Sequence, residues 1–126
     1  MSGVDRYRYT IRKICDFELL WGLFNDGWAS AQHEASIAIP FWPEAEFATL
    51  CAHDEWSGYQ PKSIKLDEFM LKWISGMSKD LRVVAIFPTQ VQMAVYVSPE
   101  TMLHDLKVEL SQNEVFFNLS GVALRG

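Results

Sequence analysis

Residues 51–55 read Cys-Ala-His-Asp-Glu and bring a thiol, an imidazole and two carboxylates into one short stretch. Zinc accepts these donors, but a structural zinc site closes a full tetrahedron of them. Helical spacing sets Cys51 on the apolar side of its helix and turns His53 away. Cys51 and His53 are therefore only weak metal ligands. A buried thiol and a surface histidine near a helix C-terminus, where the helix dipole favours a cation, account for the same residues. A Cys–His nucleophile would bring Cys15 or Cys51 against His33, His53 or His104, with a third group orienting the ring; no spacing demands that. Glu44 with Glu46, and Asp67 with Glu68, fall in first helical turns, where carboxylates are favoured electrostatically. Glycoside chemistry would instead need two carboxyls facing each other across a cleft. The chain contains no Walker-type glycine loop, Gly-x-Gly-x-x-Gly, Gly-x-Ser-x-Gly, Cys-x-x-Cys or His-Glu-x-x-His. The sequence thus assigns no catalytic residue, metal or cofactor, and the balance leans away from an enzyme.

Two further groups bear on binding rather than chemistry. Arg6, Arg8, Arg12 and Lys13 alternate with Tyr7 and Tyr9, a pattern able to touch RNA or phosphate. The whole chain opposes that use, because its net charge is −5 and nucleic-acid affinity rests on neutralising phosphates. Residues 56–62, Trp-Ser-Gly-Tyr-Gln-Pro-Lys, set large aromatics in a Gly/Pro stretch. Such residues either lid a core or meet a partner, since Trp and Tyr join apolar area to a polar handle. The candidate binding surface is Trp56, Tyr59 and Lys62, with Phe41 and Trp42 nearby.

The elements that must position these residues follow from periodicity. Val4, Tyr7, Ile11, Ile14 and Cys15 predict an N-terminal helix ending near Asp16, with Arg6, Arg12 and Lys13 on its other face. Residues 19–40 predict an antiparallel meander of three short strands. It turns first at Asn25, Asp26 and Gly27, then around residues 33–36. Pro43 opens a short helix whose buried stripe is Phe47, Leu50 and Cys51. Gly58 and Pro61 predict a loop over 54–63. Leu66, Phe69, Met70, Trp73, Ile74 and Met77 form one face of a third helix. Residues 82–87 predict a strand buried on both faces, paired after a turn at 88–90 with a strand over 92–97. Ser98 and Pro99 start a last helix, striped by Met102, Leu103, Leu106 and Leu110. Val115, Phe116, Phe117 and Leu119 read as strand-like: an edge strand or extended tail, or a segment that docks on a neighbouring subunit. Strands gathered in local hairpins predict an α+β fold: a mainly antiparallel sheet of four to five strands with about four helices on it.

At 126 residues the chain makes one globular domain, with a core over about 4–110 and an apolar tail over 111–126. Two cysteines in helical stretches suit free buried thiols. No apolar leader or membrane-length run is present, so a cytoplasmic location is expected.

The motifs Trp21-Gly22-Leu23-Phe24, Pro40-Phe41-Trp42-Pro43, Leu50-Cys51-Ala52, residues 56–64, Trp73-Ile74 and Ala85-Ile86-Phe87-Pro88, in this order, resemble the small bacterial proteins of domain of unknown function 2750. The resemblance covers roughly residues 4–110 and implies a stand-alone bacterial cytoplasmic domain. It brings no activity and no catalytic residue. The segment around 37–47 is also distantly similar to small bacterial proteins that mediate protein contacts, an analogy of motif only. The expectation is a non-enzymatic protein-interaction module whose partner is protein, itself or another, with no membrane or nucleic-acid role. The alternative is a small-molecule binder, or an enzyme of another type, that uses residues 56–62 as a pocket wall.

Overall fold

In the computed structural model the backbone of residues 1–125 and the side chains of residues 1–112 are described. Helix α1, Gly3–Phe17, starts where the Ser2 hydroxyl accepts the Asp5 N–H at 3.1 Å, and it stops at Glu18, whose backbone turns left-handed. Its buried face holds Ile11, Ile14 and Cys15 as expected, but also Thr10 and Arg6. Val4, expected inside, is exposed, and Arg6, expected outside, is 4% exposed. The buried stripe is rotated toward the line through positions 6, 10 and 14.

Strand β1, Leu19–Phe24, does not fold back on 28–31; only one isolated bridge links Phe24 to Trp28. Its partner is β4, Gln60–Lys65, in an antiparallel ribbon that sets Leu19 opposite Lys65 and Phe24 opposite Gln60. The predicted loop over 54–63 is therefore a 3-10 turn, Asp54–Trp56, followed by a strand. Only Ile64 of β4 is fully buried, so an edge strand carrying Pro61, Lys62 and Lys65 shows no apolar alternation in the sequence.

The larger sheet holds β2, Ala31–His33, β3, Ser36–Phe41, β5, Val83–Ile86, and β6, Val95–Val97, in the order β2-β3-β5-β6. The predicted turn before β3 and the β5–β6 hairpin are both present. The β3–β5 pair is parallel and buries β5 in the middle of the sheet, as its run of β-branched residues suggests. Trp21 and Trp42 exchange backbone hydrogen bonds of 3.0 and 2.8 Å and tie the ribbon to β3.

Between β3 and β5 the chain builds α2, Ala45–Leu50, and a rod made of α3, Leu66–Glu68, a π-helical turn, Phe69–Trp73, and α4, Ile74–Lys79. The rod buries Leu66, Phe69, Ile74 and Met77, the face read from periodicity. Helix α2 differs from expectation: Ala48 is its fully buried residue and Leu50 is 55% exposed.

Helix α5, Pro99–Arg125, begins where the Ser98 hydroxyl accepts the Thr101 N–H at 3.0 Å. It packs on α1, α4 and β5 through Met102 and Leu106. Its backbone continues helically through Val115, Phe116, Phe117 and Leu119, so this segment is not a strand. What those side chains dock on lies outside the described residues. The fold is α+β, with six strands in two mostly antiparallel sheets and four helical bodies.

Candidate binding loop

Burial removes Phe41 and Trp42 from any surface, since both are fully enclosed. Trp42 lies edge-on to Trp56 at 6.2 Å, and the Trp56 indole donates to the Ser30 carbonyl at 3.3 Å. Tyr59 is half-buried against the same core. Lys62 is exposed, yet its ammonium lies 4.1 Å from the centre of the Phe24 ring and 5.5 Å from that of Trp28. Trp28 in turn meets Trp73 edge-on at 4.9 Å, and Trp73 meets Phe41 at 5.7 Å. The aromatics of residues 56–62 and their neighbours thus face inward, as a ladder from Lys62 to the core.

Cys51 and His53 do not converge. The Cys51 thiol donates to the Pro88 carbonyl at 3.3 Å, whereas His53 is exposed and pairs with Asp54 at 2.9 Å. Among the described residues no three His, Cys, Asp or Glu side chains gather into a metal-binding group. The Cys15 thiol faces the Leu106 carbonyl at 3.8 Å, and His33 stacks flat on Tyr96 at 3.5 Å. Neither thiol therefore uses an imidazole as its partner. Burial pushes the Cys15 thiol up to about 12 and raises Cys51 as well, the opposite of an activated nucleophile. Carboxylates elsewhere are already engaged: Glu44 accepts the Tyr9 hydroxyl and Asp105 that of Tyr7.

Two of the exposed large apolar side chains, Val91 and Met93, lie together in the loop over residues 87–93. Phe87, at the end of β5, is buried with a left-handed backbone, φ 51°. A non-glycine residue keeps that conformation only where its surroundings over-determine it, and here they do. The Phe87 N–H donates to the Phe41 carbonyl at 2.9 Å, and the Phe87 carbonyl accepts Arg6 Nε at 3.2 Å. The Pro88 carbonyl accepts both the Trp42 indole, at 2.8 Å, and the Cys51 thiol. Thr89 Oγ1 accepts the N–H groups of Val91 and Gln92, closing a tight turn. Arg6 then closes the far end: Nη1 donates to Gln92 Oε1 at 2.9 Å, and Nη2 to the Met93 carbonyl at 2.6 Å.

This grip from α1, β3 and α2 holds two apolar side chains in water. Val91 is 90% exposed and Met93 73%. Leu50 and Val91 line a pocket of about 290 Å³, whose walls include Arg6, Phe47, Cys51 and Thr89. Sequence reasoning placed a turn at 88–90 and a strand from 92, but β6 begins only at Val95 and Gln92 and Met93 belong to the loop. The signals were an arginine on the line of Thr10 and Ile14, and a valine and a methionine in a stretch with no glycine.

A larger groove, about 870 Å³, separates α1 from α5 beside the edge strand β6. Val4, Val95, Val97 and Val108 form its apolar part, Arg8 and Arg12 lie on one wall, and Asp105 and Glu109 on the other. Among the described residues no ion pair joins these walls.

The model of the family described as "Protein of unknown function (DUF2750)" matches residues 7–106, which takes in the loop, its grip from Trp42 and Cys51, and the aromatic ladder. No curated protein matches the chain.

Proposed function

The chain belongs to the DUF2750 family, and from the geometry of its loop we propose that it is a non-enzymatic module that binds a protein partner through residues 87–93 and Leu50. The observation that carries this is apolar exposure at Val91 and Met93 in a loop whose Phe87, Pro88 and Met93 carbonyls are held by Arg6 and Trp42. Exposed apolar side chains gain nothing for folding, and a preorganised loop loses little entropy on binding. Functional residues concentrate on loops held by a rigid scaffold. Residues 56–62, by contrast, spend their aromatics on the core. The test is native mass spectrometry of the untagged protein purified gently from its own cells. A stoichiometric protein partner is expected, lost when Val91→Asp and Met93→Asp are combined and kept by Tyr59→Ala with Lys62→Ala. A partner that survives the loop pair and leaves with the second pair moves the interface back to residues 56–62.

The α1–α5 groove favours a second reading, self-association. A two-fold contact places the same patch on both copies, so Arg8 and Arg12 of one copy would face Asp105 and Glu109 of the other. Glu109→Arg alone should then give monomers, as should Arg8→Glu with Arg12→Glu. An equimolar mixture of the two variants should restore the dimer in light scattering.

A further inference from the structure

Arg6 presents an electrostatic imbalance that the loop's architecture alone does not require. Its side chain is 4% exposed and carries a full positive charge. Every acceptor around it is neutral: the carbonyls of Phe87, Met93 and Met1, and the side-chain amide oxygen of Gln92. The one ion pair among the described residues is His53 with Asp54, so no carboxylate meets this guanidinium. Burying a cation without a counter-charge is costly even when its hydrogen bonds are made. A guanidinium has five N–H groups. Nε uses its own, Nη1 both of its own, and Nη2 one, which leaves one N–H on Nη2 without an acceptor among the described residues.

That side chain lines the half-open pocket of about 290 Å³ beside the loop. The other walls are mainly apolar, from Phe47, Leu50, Phe87 and Val91, with Thr89 at the rim. The Cys51 thiol also lines it, and burial raises that thiol's pKa, so it adds no competing negative charge at neutral pH. A guanidinium with one free donor, on the wall of a mainly apolar pocket, suits a monoanion with an apolar body. It does not suit a phosphate, which calls for several donors at once.

We propose that the pocket beneath residues 87–93 binds an organic monocarboxylate with a short apolar tail, with the buried Arg6 guanidinium as its counter-ion. The tail lies against Phe47, Leu50 and Val91, and the carboxylate supplies the missing negative charge. This goes beyond the protein-binding reading of the loop and fails separately from it, because the probes are small molecules. Two sources share the chemistry: a free short-chain acid, and the C-terminal residue of a protein chain.

The experiment is an NMR titration of 15N-labelled protein with sodium hexanoate, against hexanamide and sodium chloride at matched concentration. Hexanoate should move the Arg6 Nε–H and the Gln90 and Val91 amides, saturating in the millimolar range, with hexanamide at least tenfold weaker. N-acetyl-leucine against its amide forms the second arm. The tighter of the two acids identifies the source as free acid or chain terminus. Leu50→Trp fills the pocket from an exposed position and should abolish the shifts with the melting temperature unchanged. Arg6→Gln, where it folds, should also abolish the shifts, at a lowered melting temperature. Equal responses to hexanoate and hexanamide, shifts that survive Leu50→Trp, or no saturable response to either acid would overturn the proposal.

Discussion

Residues 56–65 and residues 87–93 make opposite uses of their side chains. The first segment holds Trp56, Tyr59 and Lys62, the residue types that interfaces favour, and turns them to packing, an indole hydrogen bond and a cation over an aromatic ring. The second holds threonine, glutamine, valine and methionine, and presents Val91 and Met93 almost free. The difference lies in what grips each backbone. Strand β4 is held edge-to-edge by β1 along its whole length, and of its side chains only Ile64 is fully buried. Residues 87–93 are held from below by side chains, Arg6, Trp42 and Cys51. The carbonyls of Phe87, Pro88 and Met93 meet those side chains, while the side chains of Val91 and Met93 stand in water. Exposure here is a property of the grip, not of residue type.

Removing the grip tests this most severely. Arg6→Met strips the donors from the Phe87 and Met93 carbonyls and should cost about 3 kcal/mol or more in urea unfolding, since each charged hydrogen bond contributes roughly 1.5–3 kcal/mol. A loss below about 1 kcal/mol would mean the loop holds itself. Trp42→Phe keeps a ring but loses the bond to Pro88 and leaves a small void, for about 2 kcal/mol. It should also raise the mobility of Val91 in 15N relaxation, which no change in residues 56–65 should do.

The two thiols add a pH test. Both are raised in the folded chain, so between the ordinary thiol range, about 8.5, and about 12 for Cys15 the folded state binds more protons than the unfolded. Stability therefore falls as pH rises through that window and is fully present below it. Cys15→Ala should flatten the slope of urea midpoint against pH more than Cys51→Ala does. Below pH ~10 the ordinary tyrosine range is not yet entered, which keeps the raised Tyr7 and Tyr9 out of the comparison. Lys62→Met removes a cation from an exposed aromatic face and should cost less than about 1 kcal/mol. Val91→Asp with Met93→Asp should change stability by no more than about 0.5 kcal/mol while abolishing partner binding. A large loss of stability there would make those side chains structural and collapse the contrast.

The sequence announced what is local and periodic. The rod over 66–79, the start of α5 at Ser98 and Pro99, the central strand β5 and its hairpin partner β6 all follow from spacing and capping residues. Strand β4 stayed hidden because Ile64 is its one fully buried residue and its partner lies some forty positions earlier. Leu50 and Val4 took inward places in a pattern that gives a helix its face only to within a residue or so. The tail over 115–119 carries apolar residues that suit a strand, yet it prolongs a helix already begun. The loop over 87–93 was least legible. An arginine among other arginines reads as a solvated face, and nothing in residues 87–93 names the side chain that would hold them. Tertiary hydrogen bonds from distant positions leave no local periodicity.

That distance also orders events when the chain is made. Arg6 is synthesised before its acceptors, and the carbonyl of Met93 follows 87 residues later. At roughly 5–20 residues per second the guanidinium waits about 4–17 s before its last acceptor exists. Through that interval α1 has no dry place for its charge, and Phe87 has no reason to turn left-handed. Helix α1 is thus fixed in place only after residues 87–93 have been made, and the loop is set at the same moment, by the same residue.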